Sequence, residues 1–268
     1  MGMTEGGQET MYNLDGKVTI ITGAASGIGK ETALHFAREH VRLILMDKNE
    51  ELLEQTAQEI VGFAERPDCI QFDITKEAQV RQAVERVVDQ YQKIDILVNC
   101  AGVSTMQWSW ELTEEEWDFN MDVNAKGCWL ICKYVVPHMI RERKGRIVLT
   151  ASMGGKQGAP LLAHYCASKF AVVGLTESIA KEVAPYNITV NAVCPGYVKT
   201  PMQDREVVWE AKLRGIDDPE KVREEYVTLT PLGRLSVPAD IAKGILFLAS
   251  DQAEFMTGET VKISGGQL

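Results

Sequence analysis

The chain reads as an α/β protein with one doubly wound sheet of seven mainly parallel strands and helices on both faces. Three observations predict this. Short runs of β-branched and aliphatic residues alternate with longer amphipathic segments along the whole length. The apolar runs carry few polar interruptions, as strands covered on both faces do. No linker-like stretch divides the 268 residues, so the alternation belongs to one sheet, wound by right-handed crossovers.

Each element has a local reason. Residues 17–22 are a buried apolar strand, followed by a glycine-rich turn over 23–29 and a helix over 30–39. Residues 41–46 form the second strand, which Asp47 stops, and 50–63 the next helix. A short third strand spans 69–72, an amphipathic helix 76–91 and the fourth strand 94–98. Thr113 is an N-cap, and Glu116 three residues on completes a capping box. The helix it opens runs, with breaks, to about Arg143. Strands at 145–151, 188–194 and 260–264 and helices at 164–184 and 240–249 complete the rhythm. Between Pro195 and Pro231 lies an irregular insert (lid region, about 196–231). Val207, Val208, Leu213 and Val222 are spaced there for one or two short amphipathic helices, placed to close over a ligand.

Composition removes several function classes. Hydrophobic residues make up 45% and charged residues 25%, which excludes disorder as the main state. A formal net charge of -10 argues against nucleic acid as partner. No apolar run is long enough to span a membrane. The six cysteines form no C-x-x-C pair and the four histidines are scattered, so no metal site is expected. Residues 1–13 read as a polar, glycine-bearing leader without signal-peptide character, which suggests a cytoplasmic protein with reduced thiols. Residues 14–268 form the single folded domain.

The first turn carries chemistry. Gly23, Gly27 and Gly29 are spaced G-x-x-x-G-x-G, with Ser26 and Ile28 between them. Glycine permits a tight turn and close approach of backbone to a pyrophosphate, and the following helix offers free N–H groups. Asp47 closes the second strand 24 residues after Gly23. A carboxylate there accepts the ribose hydroxyls of adenosine and repels a 2′-phosphate, which favours NAD over NADP. Arg42 and Lys48 are the nearby basic residues, and spacing alone does not place Arg42.

Tyr165 and Lys169 stand four apart on one helix face, flanked by Ala167, Phe170 and Ala171, which suggest partial burial. A neighbouring ammonium favours the phenolate, moving the phenol towards the range of a general acid/base.

The turn, Asn99-Cys100-Ala101-Gly102, Ser152, Tyr165 with Lys169, and Pro195-Gly196 stand in the order and spacing of the short-chain dehydrogenase/reductase family, which the chain resembles from about Leu14 onward. The resemblance implies a Rossmann-type fold and a catalytic set. Ser152 would hold the substrate oxygen, and Tyr165 would act as acid/base. Lys169 would hold the nicotinamide ribose, and Asn124 would support a water and proton relay to that lysine. It also implies that Asp73 and Ile74 meet the adenine. Asn99, Ala101 and Gly102 would line the floor beneath the ribose. Pro195, Gly196, Val198 and Thr200 would meet the carboxamide. Cys100 departs from the family's usual second asparagine and is read as a packing residue.

Trp108, Gln157, His164 and Trp209 are the candidate substrate contacts. Aromatic walls with neutral polar groups suit a small polyol, sugar alcohol or vicinal diol, oxidised to its ketone. The likeness to bacterial sugar-alcohol and butanediol dehydrogenases is looser than that to the family. The main alternative is a 3-oxoacyl-acyl-carrier-protein reductase, against which Asp47, Ser26 and the acidic charge count. A catalytically silent NAD-binding scaffold is the other class, against which the intact serine, tyrosine and lysine count. The family resemblance implies a homotetramer.

Overall fold

β1 (Val18–Thr22) is completely buried and lies inside the sheet, away from both edges, in a computed structural model that describes residues 12–267. The predicted leader therefore falls almost entirely outside the described residues. β1 pairs in parallel with β2 (Arg42–Asp47) on one side and β4 (Ile96–Asn99) on the other. β3 (Asp68–Gln71) extends one edge, and β5 (Gly145–Thr150), β6 (Ile188–Pro195) and β7 (Thr260–Ile263) extend the other. The order is β3-β2-β1-β4-β5-β6-β7, with every pairing parallel. Strand order reverses between β1 and β4, and a ligand crevice opens at such a switch point outside the carboxyl ends of the strands.

Two apolar layers hold the sheet. On one face Phe36, Ile60, Ile241 and Ile245 pack on Ile21, Leu45 and Val98. On the other, Val80, Val84, Ile131 and Val172 pack on Ile20, Ile44 and Leu97. α1 (Gly27–Ala37), α2 (Glu50–Val61) and α9 (Pro238–Ala249) supply the first layer. α3 (Glu77–Tyr91), α5 (Gly127–Glu142) and α6 (Ala163–Val183) supply the second.

One element differs from the sequence expectation in a way that matters. α1 begins at Gly27, not at residue 30. The glycines of the turn are thus also its first helical turn, where the N–H groups have no intrahelical acceptor. The long helix after Thr113 is interrupted. α4 (Glu114–Asn120) passes into a π-helical segment, Met121–Lys126, and then into α5. Thr113 makes the capping box with Glu116. Elsewhere element ends move by one or two residues, the usual uncertainty of helix and strand limits.

The insert folds as α7 (Pro201–Arg214) and α8 (Pro219–Thr228). Val207, Ala211, Val222 and Tyr226 form its own small core. The Tyr197 and Tyr226 rings stack with centroids 3.9 Å apart, which pins α8 to the segment leaving β6. Among the described residues no helix is long and apolar enough to cross a membrane, and no His/Cys/Asp/Glu group is arranged to hold a metal ion.

Candidate active site

A cleft of about 1340 Å³ runs along the carboxyl ends of the strands, with Asp47 and Asp73 towards one edge and Tyr165, Tyr197 and Glu206 towards the other. That exceeds the ~300–1,000 Å³ of a single small-molecule site. It suits a dinucleotide together with a substrate.

The turn after β1 is a backbone cradle. Gly23 sits at φ +67°, and a Cβ there would lie 2.6 Å from the Ala101 nitrogen. A Cβ on Gly29 would lie 2.0 Å from the Gly23 carbonyl oxygen. Neither position accepts a side chain. Ser26 is the N-cap of α1 in extended conformation, and its side chain makes no capping bond. With no acidic residue in the first turn, the helix presents N–H groups and positive dipole to the cleft. These residues fit the pyrophosphate of a dinucleotide.

Asp47 lines the cleft at the end of β2. Its Oδ2 accepts from the Ala25 N–H at 3.1 Å and its Oδ1 from the Asn49 N–H at 2.9 Å. The carboxylate is thus aimed by the phosphate turn on one side and the start of α2 on the other. Arg42 is at the amino end of β2, ion-paired with Glu65 at 2.5 Å, and does not line the cleft. Lys48 does, and pairs with Asp73 at 3.3 Å. Ile74 lies beside Asp73 on the same wall.

At the other end β5 runs out at Thr150, and Ser152 caps a short turn, its Oγ accepting from the Gly154 N–H at 3.0 Å. Tyr165 and Lys169 reach the same wall from α6, one turn apart. The Ser152 hydroxyl faces the Tyr165 phenol on that wall. Lys169 Nζ donates to the Thr150 carbonyl at 2.9 Å and lies 5.7 Å from the centre of the Tyr165 ring. Asn124 comes from the π-helical segment. Its Nδ2 donates to the Val103 carbonyl and to Ser168 Oγ, both at 2.9 Å, while its Oδ1 accepts from the Val103 N–H at 2.8 Å. Asn124 does not line the cleft. It meets Lys169 across Gly102, where a Cβ would lie 3.2 Å from Asn124 Oδ1 and 3.3 Å from Lys169 Nζ. Ala101, Gly102, Pro195, Gly196, Val198 and Thr200 line the floor and far wall.

The electrostatics differ from the sequence expectation. Burial pushes the Tyr165 phenol above its ordinary range, and the Glu206 charge adds to this against the Ser152 hydroxyl. Burial also lowers Lys169 to about 8, opposed by Cys128, Cys100 and Cys194. Sequence spacing shows the lysine beside the tyrosine but not how far both lie from water, and desolvation is the larger influence on each.

Other sequence candidates separate by helix face and depth. Trp108 and Gln157 line the cleft. His164 does not. Its side chain is fully buried and bonds Thr105 Oγ1 at 2.6 Å, with Asn120 Nδ2 on the same hydroxyl at 2.8 Å. It sits ~100° round the helix from Tyr165, which turns it into the packing behind the wall. Trp209 is also off the cleft: on α7 the cleft-lining row is Met202, Glu206, Glu210 and Arg214. Asn99 is buried beneath the floor, its Oδ1 accepting from Thr22 Oγ1 at 2.5 Å. Phe170 is exposed, so the buried face of α6 is set by Cys166, Ser168, Lys169 and Val172. Cys100 packs against α1 and accepts from Thr150 Oγ1 at 3.4 Å, and burial pushes its thiol up to about 11. That thiol stays protonated and is a poor nucleophile.

Sequence reasoning passed over Glu206, Tyr197 and Gln267, which also line the cleft. The four-residue spacing of Met202, Glu206, Glu210 and Arg214 is the signal that marks Glu206's face.

The short chain dehydrogenase family model matches residues 17–211. The chain is 42% identical over 253 residues to the 3-oxoacyl-acyl-carrier-protein reductase FabG of Thermotoga maritima, covering 94% of this chain and 98% of that protein. It is 37% identical over 264 residues to the NAD-dependent glycerol dehydrogenase of Listeria innocua serovar 6a, covering 98% of each. Levodione reductase has a similar crystal structure, with a TM-score of 0.90 at 31% identity over 95% of this chain and 98% of that one. The sheet order, the matched residues and these full-length likenesses together show that the chain belongs to the short-chain dehydrogenase family, oxidoreductases that use a nicotinamide dinucleotide.

Proposed function

We propose that the protein interconverts a small secondary alcohol and its ketone with NAD as cofactor. One observation carries this reading: Ser152, Tyr165 and Lys169 converge on one wall of a cleft whose other end is closed by the Asp47 carboxylate. The first group does proton chemistry at a substrate oxygen. The second favours a free ribose over a phosphorylated one.

The residues divide the work by position. The N–H groups of Gly27, Ile28 and Gly29 would hold the pyrophosphate, and Asp47 the adenosine ribose. Asp73 and Ile74 would meet the adenine, and Ala101 and Gly102 the ribose beneath it. Lys169 would hold the second ribose, and Pro195, Gly196, Val198 and Thr200 the carboxamide. The bound nicotinamide supplies hydride transfer. Ser152 and Tyr165 hold the substrate oxygen, Tyr165 Oη takes or returns its proton, and Lys169 places positive charge beside the phenol. Asn124 fixes the segment after β4 at Val103 and orients Ser168. The α7–α8 insert serves as the lid.

The cleft wall also bears on substrate. Met106, Trp108, Met153, Leu161 and Met202 give an apolar surround, with Gln157, Gln203 and Glu206 as polar points. This favours a compact hydroxylated molecule, and the glycerol dehydrogenase relative supports it. The second reading is a 3-oxoacyl-acyl-carrier-protein reductase, favoured by the relative of that name. The net charge of -10 opposes docking of an acidic carrier. We expect the working form to be a homotetramer in the cytoplasm. The test is an absorbance screen of polyols, diols and hydroxy acids with NAD and NADP, run beside reduction of acetoacetyl thioesters. Oxidation of polyols or diols with NAD supports the reading, and activity on thioesters with NADPH alone replaces it with the second.

A further inference from the structure

Three carboxylates stand on the lid side of the cleft, and they are not equivalent. Glu210 accepts from Arg214 at 2.7 Å and from the Tyr226 hydroxyl. Glu225 accepts from the same Arg214 at 2.7 and 3.1 Å. Arg223, the other guanidinium between the two helices, is taken by Asp204, Glu220 and Gln203. Among the described residues Glu206 alone of the three has no cation within ion-pair distance.

Glu206 is nonetheless largely enclosed. It stands one turn before Glu210 on the cleft face of α7, and its charge is felt at Tyr165. It faces the Ser104 hydroxyl, which is 4% exposed and has no hydrogen-bond partner of normal length. The amide Nε2 of Gln203, on the same helix and 3% exposed, lines the cleft and also lacks an acceptor. The Gln267 Oε1, at the same end of the cleft, lacks a donor. Buried polar atoms are rarely left unpaired, and a cluster of them beside a reacting group marks where a ligand's polar atoms go.

We propose that Glu206 reads the substrate, its carboxylate accepting a hydrogen bond from a hydroxyl on the carbon next to the one that reacts. The inference rests on the alcohol dehydrogenase reading and narrows its substrates to vicinal diols and polyols. A neutral hydroxyl is favoured over an ammonium because Arg205 lines the same end and its positive charge already acts on Glu206. A carboxylate or phosphate at that position would meet the Glu206 charge in a site poor in water.

A matched series tests this, with one methyl carbinol bearing four neighbours: isopropanol, propane diol, isopropanolamine and lactate. Wild type, Glu206→Gln and Glu206→Leu are compared by kcat/KM, with NADH affinity followed by fluorescence. In wild type the diol is expected to exceed isopropanol by roughly tenfold or more. Glu206→Leu is expected to lose roughly 10- to 100-fold on the diol relative to isopropanol, mainly in KM, and to gain on lactate, while the loss of the Glu206 charge beside Tyr165 acts on all four substrates alike and cancels in that ratio. Glu206→Gln, which keeps an acceptor oxygen, falls between. An equal loss on diol and isopropanol overturns the proposal, as does an unchanged diol preference in Glu206→Leu. A wild type that prefers isopropanolamine also overturns it. If wild type oxidises none of the four, this inference is overturned, and if the wider screen of polyols, diols and hydroxy acids is also silent with both cofactors, the alcohol dehydrogenase reading falls with it.

Discussion

Lys169 Nζ donates to the carbonyl of Thr150 at 2.9 Å, so the cation of α6 is tied to the last residue of β5. The bond joins the helix that carries Tyr165 to the strand whose continuation carries Ser152. It also holds an ammonium that is only 5% exposed next to Gly102, with no carboxylate in ion-pair reach among the described residues.

Lys169 has been lowered to about 8 by burial, whereas an unfolded lysine titrates near ~10.4. Between these values the unfolded chain binds more protons, so stability rises with pH across that window and is lowest below it. The shift corresponds to roughly 3 kcal/mol at neutral pH. Lys169→Met removes the buried charge and loses the bond to Thr150, about 1 kcal/mol. The variant is therefore expected to be more stable than wild type at neutral pH by about 1–2 kcal/mol and to lose that advantage towards pH ~10. Its turnover falls steeply. Denaturant titrations at several pH values check this, and a variant less stable than wild type at neutral pH contradicts it.

Tyr165→Phe keeps the ring and removes the hydroxyl. Turnover is expected to drop roughly 100- to 10,000-fold while NADH binding stays within a few-fold of wild type. Steady-state rates and NADH fluorescence measure the two separately. Near-normal turnover would show that another group handles the proton. Because burial holds the cofactor-free phenol high, ultraviolet titration of the free enzyme is expected to show no Tyr165 phenolate at pH ~9.

Asp47→Ala tests the cofactor choice. The ratio of kcat/KM for NAD over NADP is expected to fall roughly tenfold or more, because a charge that repels the 2′-phosphate is gone. The variant also loses the acceptor for the Ala25 and Asn49 N–H groups, which costs about 1–2 kcal/mol of stability. Kinetics with both cofactors decide it, and an unchanged ratio removes Asp47 from the choice.

Gly23→Ala places a methyl group 2.6 Å from backbone at a φ of +67°. The strained conformation and the overlap together are expected to cost ~3 kcal/mol or more, with loss of cofactor affinity as the turn opens. Thermal unfolding and NADH binding check this. Gly215→Ala, also at positive φ but with open space around its Cβ position, is expected to cost only ~1 kcal/mol and leave cofactor affinity alone.

The parts legible in the sequence are those whose causes are local. Apolar runs and amphipathic spacing predict the strands and helices because burial on a sheet and on a helix face have different periods. The turn at Gly23, the capping box at Thr113 and the four-residue spacing of Tyr165 and Lys169 are each settled within a few residues. The family's order of motifs is legible for the same reason.

What only the tertiary structure decided are relations between distant segments. His164 and Trp209 stand beside cleft-lining residues in sequence yet off the cleft, since one helical position turns a side chain by ~100°. Asn99 went under the floor because Thr22 claims its oxygen from the neighbouring strand. The upward shift of Tyr165, the lowering of Lys169 and the unpaired state of Glu206 depend on how much water and which charges other elements leave at each point. Desolvation is a property of everything packed around a group, so residue spacing along one chain carries no measure of it.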